Sequence, residues 1–99
     1  MNSYMNNEQA AHVFKALGDP TCFKLVQKLL EDRNICVSEL AEVVDISVAG
    51  VSQQLKILEQ AHVIQRVRNG QRICYQINRE DPLVGQIIHI ISPELASAY

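Results

Sequence analysis

Between Val37 and Gln60 two apolar helical patterns meet at a break of two or three residues, and this juxtaposition most limits what the chain can fold into. Val37, Leu40, Ala41 and Val44 share one face of the first pattern, and Val48, Val51, Leu55 and Leu58 share one face of the second. Both follow the i, i+3, i+4, i+7 family of spacings of an amphipathic helix. Ser47 stands where the second pattern begins and can cap it through its hydroxyl. A turn this short forces the two helices to cross at a large angle, which is the helix-turn-helix shape.

Stepping around the second helix from its buried face puts Ala49, Gln53, Lys56 and Gln60 opposite, with Ser52 and Gln54 flanking and Ser47 at the entry. Small residues let the start of a helix approach a groove floor. An amide can bond adenine at N6 and N7 together, and Lys56 can neutralise a phosphate. Gln and Lys are common on any helix surface, so the next segment is what separates this face from an ordinary solvated one.

Val63 to Ile77 reads as a hairpin. Apolar–polar alternation runs up to Asn69-Gly70, a strong short-range signal for a two-residue turn, and resumes after it. Arg66, Arg68 and Arg72 lie along it. A basic hairpin after a polar-faced helix is the wing of a winged helix, with its cations against the flanking backbone or the minor groove. A protein-interaction module of the same shape, the reading from a different class, has no need of a basic wing.

The rest of the chain fits around this unit. A first helix is expected from about Asn7 to Leu17, with Ala10, Val13, Phe14 and Leu17 on one face and Gly18 as its stop. Asp19 then caps a second helix with Pro20 in its first turn. That helix turns Phe23, Val26, Leu29 and Leu30 inward and ends near Glu31-Asp32. Asn34-Ile35-Cys36 is a short extended piece suited to join the wing as a third strand. Asp81-Pro82 repeats the cap-plus-proline start and opens a last helix carrying Leu83, Val84, Ile87, Ile88, Ile90 and Ile91. That helix is apolar on more than one face. One face can cover the domain, and the other calls for the first helix of a second copy. Ser92-Pro93 ends it. The expectation is one domain over 1–99, with 1–6 and 94–99 as flexible tails.

Ninety-nine residues suffice for one core. A domain of this size buries roughly 60–70% of its unfolded surface and gains from dimerising. The net charge of −2 does not by itself announce a nucleic-acid binder. Its distribution does more: Ser47 to Asn78 holds Lys56, Arg66, Arg68 and Arg72 against Glu59 alone, a local +3 that leaves −5 for the remainder. Such a molecule offers DNA one face and repels it with the rest. No long apolar run and no signal-peptide pattern is present, so the expected location is the cytoplasm, with no membrane partner.

Phe14-Lys15-Ala16-Leu17-Gly18-Asp19-Pro20-Thr21, the helix start at Val37–Leu40, Val51-Ser52-Gln53-Gln54-Leu55-Lys56-Ile57-Leu58, and Arg68-Asn69-Gly70-Gln71-Arg72-Ile73-Cys74-Tyr75 together resemble the ArsR/SmtB family of bacterial winged-helix repressors. The resemblance covers roughly residues 8–92. It implies a homodimeric DNA-binding repressor released by an inducer. Gln54 stands where the family often has His, and Cys22 where it usually has Arg.

Metal sensing is the family's other implication, and the ligand sets are incomplete here. Members that bind thiophilic metals resemble Cys-Val-Cys-Asp-Leu at the third helix, where this chain has Cys36-Val37-Ser38-Glu39-Leu40. The region matching the family's zinc site on the last helix offers Glu80 and Asp81, then Ser92 and Leu95. Soft metals need two or three thiolates and zinc usually four ligands, so no metal and no other cofactor is expected. His12, His62 and His89 are scattered, and no phosphate loop or nucleophile signature supports an enzyme.

The three cysteines, Cys22, Cys36 and Cys74, form no disulfide framework and in a cytosolic setting start as free thiols. All three are candidate thiol sensors, and Cys36, at the expected N-cap of the third helix, is the first of them, because the field there favours thiolate. Its plainer role is a small half-buried residue at a strand-to-helix corner. Cys22 reads as core. Cys74 alternates with Arg72 and Gln76, on a different strand face from Tyr75. Whether any two thiols come within bonding range is not legible from spacing.

The sequence therefore predicts a mainly α fold with a small β-hairpin wing, a winged helix-turn-helix ordered α-α-α-α-β-β-α. Its expected partners are double-stranded DNA and a second copy, joined through the first and last helices. The alternative is a redox- or sulfide-responsive repressor of the same fold, acting through Cys36 as the site of thiol modification.

Overall fold

The computed structural model describes residues 7–32 and 34–91. Its elements run α1 (Asn7–Leu17), α2 (Pro20–Glu31), β1 (Ile35–Cys36), α3 (Val37–Val44), α4 (Val48–Gln60), β2 (Ile64–Asn69), β3 (Arg72–Ile77) and α5 (Pro82–Ile91). The expected tails, and the stop at Ser92-Pro93, lie outside the described residues. No described helix is long and apolar enough to cross a membrane.

Helix starts follow the local chemistry. The Asp19 carboxylate accepts from the Cys22 amide at 2.9 Å, with Pro20 in the first turn. Asp81 accepts from the Leu83 and Val84 amides at 3.0 and 3.2 Å ahead of α5. The Ser47 hydroxyl accepts from the Gly50 amide at 3.0 Å and starts α4. Each satisfies a helix-end donor that has no partner inside the helix. Asp45 closes α3 in the left-handed region (φ 57°), a conformation Asp tolerates better than most residues. The chain thus reverses into α4 within three residues.

Val13, Leu25, Val26, Leu29, Leu30, Leu40, Val51, Leu55 and Leu58 are buried together as the centre of the core. Deleting a leucine side chain from such a core costs roughly 2–5 kcal/mol. Three inward assignments from the sequence change. Phe14 is 60% exposed on α1, Val48 is 52% exposed at the first position of α4, and Phe23 is only half-buried while Leu25 takes the deep position. In each case the helical stripe is narrower than its apolar residues suggest.

The sheet is antiparallel, ordered β1-β3-β2, so the short strand before α3 does pair with the wing. Asn69 pairs with Arg72, so Gly70 and Gln71 form the turn rather than Asn69 and Gly70. Of the two turn residues only Gly70 has positive φ (67°), as a type II′ turn with glycine at its first central position requires. At the wing's base Asn78 donates through its side chain to the His62 carbonyl (3.0 Å) and through its amide to the Val63 carbonyl (2.9 Å). The hairpin is thereby tied to the end of α4.

Candidate nucleic-acid interface

Helix α4 is anchored by Val51, Leu55 and Leu58, each fully buried, and this fixes what it presents outward. Ala49, Ser52, Gln53, Lys56 and Gln60 are exposed, together with the cap residue Ser47. Gln54 departs from the expected DNA-facing set. It is half-buried, and its side-chain oxygen accepts from the Cys22 thiol at 3.2 Å, so it faces α2. The sequence reading missed Val48. Its exposed side chain at the start of α4 is apolar, and counting apolar positions assigned it to the core.

The wing arginines divide between two faces. Residues directly paired across an antiparallel sheet share a face. Arg66 pairs with Tyr75 and Arg68 with Ile73, whereas Arg72 lies on the face of Val67 and Cys74. Arg66 makes three contacts of 3.1–3.3 Å with the Glu59 carboxylate of α4. Burial pushes the Tyr75 phenol above its ordinary range, Glu59 adds to that, and Arg66 opposes it. Arg72 lies 3.7 Å from Glu39 of α3. Neither Lys56 nor Arg68 has an ion-pair partner among the described residues. Of the four cations of this half, these two are the ones held ready for an outside anion.

The thiols sort differently from the sequence expectation. Cys36 and Cys74 sit directly across β1 and β3, with Cα atoms 3.9 Å apart, and are joined as a disulfide rather than standing as free thiols. Cys22 is the one free cysteine, and it is buried. Burial, then the neighbouring Asp19 charge and its hydrogen bond, push its thiol up to about 12. A thiol so raised stays protonated near neutral pH, the less nucleophilic form.

The α3 donor set is incomplete for a thiophilic metal, because Ser38 supplies no thiolate beside Cys36, which in this structure is bonded to Cys74. No group of three or more His, Cys, Asp or Glu among the described residues is arranged to hold a metal ion. Glu80 and Asp81 have no second ligand pair within the described residues, since Ser92 and Leu95 lie beyond them. An open cleft of about 660 Å³ between α1, the start of α2 and α4 contains His12, Lys15 and Asp19. Among the described residues that line it, Cys22 carries the thiol, and burial pushes that thiol up.

Residues 19–66 match the family model described as bacterial regulatory protein, arsR family. The transcriptional repressor SdpR of Bacillus subtilis (strain 168) is 42% identical over 74 residues, covering 75% of this chain and 76% of that protein. The crystal structure of the transcriptional repressor PagR of Bacillus anthracis is similar at a TM-score of 0.75 and 29% identity, covering 91% of this chain and all of that one. The solution structure of the homodimeric winged helix-turn-helix DNA-binding domain of Mb0332 from Mycobacterium bovis has the same fold, with a TM-score of 0.76 at 21% identity over 94% of this chain and 88% of that one. In sequence and in shape the chain belongs to the ArsR family of bacterial regulatory proteins, winged helix-turn-helix regulators of transcription and not enzymes.

Proposed function

We propose that the chain is a homodimeric repressor that binds a palindromic operator and leaves it when an inducer acts. The observation that carries this is the exposed polar face of α4, with Lys56 free of ion pairs beside a wing that offers Arg68. Gln53 is assigned to a base edge, Ser47, Ala49 and Ser52 to close approach at the groove, and Lys56 and Arg68 to phosphates. Val48 adds an apolar contact of the kind a thymine methyl accepts. Arg66 positions the wing through Glu59, and Gln54 supports α4 from behind.

The dimer is assigned to α1 and α5. Phe14 on α1 and Ile90 on α5, 60% and 77% exposed, are large apolar side chains left uncovered in one protomer. The homodimeric state of Mb0332 supports a homodimer here, without naming its helices. Two copies related by a twofold axis would set two α4 helices into successive major grooves about 34 Å apart, so the site should be palindromic. No resident metal or other cofactor is part of this reading.

Selection of bound fragments from a random DNA pool by the purified, reduced protein tests it. The expected result is an inverted repeat with half-sites about one helical turn apart. Enrichment of no sequence, at a salt concentration where relatives of this size discriminate, overturns the reading in favour of a protein-interaction module.

A further inference from the structure

We propose that Cys36 and Cys74 form a reversible dithiol–disulfide pair through which a peroxide weakens the grip of the wing on DNA. The proposal rests on the DNA-binding reading above. Its first support is register. The two residues are direct partners across β1 and β3, although 38 positions separate them in sequence, so the bond closes within an already formed sheet. Its second support is where the bond lies. Cys36 is the N-cap of α3, and Cys74 is two residues from the wing cation Arg72 on the same strand face.

A polar bridge runs beside the covalent one. Oε1 of Glu39 accepts the Cys36 amide at 3.1 Å and stands 3.7 Å from the Arg72 guanidinium. The disulfide thus holds β3 against the start of α3, with Arg72 beside the Glu39 carboxylate. Opening the bond frees the root of the wing from α3, and Arg72 can then exchange an exposed carboxylate for DNA. Oxidation therefore removes a phosphate contact and leaves Gln53 and Lys56 on α4 untouched.

The chemistry closes without a further co-reactant. Cys36 is the more accessible of the two, 7% exposed against 1% for Cys74, and it meets the end of a helix where negative charge is favoured. Its thiolate attacks one peroxide oxygen. The O–O bond breaks, the departing oxygen leaves protonated as water or alcohol, and Cys36 becomes a sulfenic acid. Cys74 then attacks that sulfur, the S–O bond breaks, and the oxygen leaves as water with the Cys74 proton. Two thiols have lost two electrons to one peroxide. Two equivalents of a small thiol return both electrons by exchange through a mixed disulfide.

The test begins with the fully reduced chain, which has three thiols, and one equivalent of hydrogen peroxide. Free thiols should fall from three to one, with Cys36 and Cys74 joined in one peptide pair, and dithiothreitol should restore them. DNA affinity, followed by fluorescence anisotropy across a salt series, should drop on oxidation by on the order of threefold to tenfold, with the salt slope smaller by about one unit. Cys36→Ser and Cys74→Ser should each bind as the reduced protein does and ignore peroxide, while Cys22→Ser should respond as wild type. A thiol count that stays at three, a bond that includes Cys22, or oxidised and reduced proteins of equal affinity would overturn the proposal, as would tighter binding on oxidation. Thiol counting needs no DNA, so failure to bind any DNA in either state counts against the DNA-binding reading and is distinguishable from failure of the cysteine pair. The wild-type measurements stand even if a serine variant does not fold.

Discussion

The Arg66 guanidinium reaches both carboxylate oxygens of Glu59, with Nε at 3.3 Å from one and Nη2 at 3.1 and 3.2 Å, and so ties the second strand to the last turn of the recognition helix. This pairing changes what the wing's charges can do. Arg66 spends its fork of donors within the protomer, and what it contributes to DNA binding is the angle between wing and helix. Arg68, two residues on and on the same strand face, carries no such partner among the described residues.

Arg68→Ala should therefore weaken binding to every sequence alike and lower the slope of log affinity against log salt by about one unit. Arg66→Ala should leave that slope nearly unchanged, and its effect on stability should be small, about 0–1 kcal/mol, since the ion pair is largely exposed. Anisotropy titrations of both variants over a salt series decide between them. Equal changes in slope would mean that Arg66 leaves Glu59 when DNA arrives.

Gln53 and Gln54 are neighbours in sequence with opposite surroundings. Gln53 is exposed on the outer face of α4, whereas Gln54 takes a hydrogen bond from Cys22 behind it. Gln53→Ala should cost about 1–3 kcal/mol at one base position and relax preference there. Gln54→Ala should leave base preference intact and act through stability instead. A competition assay over all single-base variants of the selected site reads both effects.

What the sequence made legible follows from how local each cause is. The boundaries of α1 and α2, and the start of α5, rest on Gly18, Asp19-Pro20 and Asp81-Pro82, whose preferences act within one helical turn. The helix-turn-helix and the basic hairpin rest on periodicity, which is also local. The orientation of Phe14 and Val48 depends on how wide a stripe the neighbouring helices cover, which no single helix records. The turn at Gly70-Gln71 rather than Asn69-Gly70 shifts the strand pairing by two residues. Such a shift keeps every side chain on its face and changes the partner it meets. The Cys36–Cys74 pairing is less accessible still, because it joins strands with two helices and another strand between them in the chain.

Ile90 gives a way to separate dimerisation from folding. At 77% exposure it supports almost nothing within its own protomer, while Ile87 and Ile88 on the same helix are buried. Ile90→Glu should yield a folded monomer with native helicity and strongly reduced operator affinity, because each half-site then binds alone. Ile88→Glu should instead unfold the protomer, since it places an unpaired charge in the core. Analytical ultracentrifugation and circular dichroism distinguish the two. A wild-type protein that is monomeric at micromolar concentration, or an Ile90→Glu protein that stays dimeric, would refute the α1–α5 interface.

Cys22 couples the core to pH. It is fully buried, and its thiol is pushed up to about 12 from an ordinary 9.0 by burial first and the Asp19 carboxylate second. Below the unfolded value both states keep the proton, and the thiol adds no pH dependence. Between the two values the unfolded chain has released its proton and the folded chain has not, so the folded state binds more protons and stability falls as pH rises. The contribution is complete below pH 9 and is lost progressively toward 12. Urea melts of wild type and Cys22→Ala at about pH 8 and about pH 10.5 isolate it, because every other titrating group is common to both proteins. The alanine variant should be the less stable at the lower pH, having lost a buried side chain and the bond to Gln54, and the gap should narrow at the higher one. A gap that is constant with pH would mean that the thiol ionises in place, and with it the hydrogen bond that seats Gln54 behind the recognition helix would lose its donor.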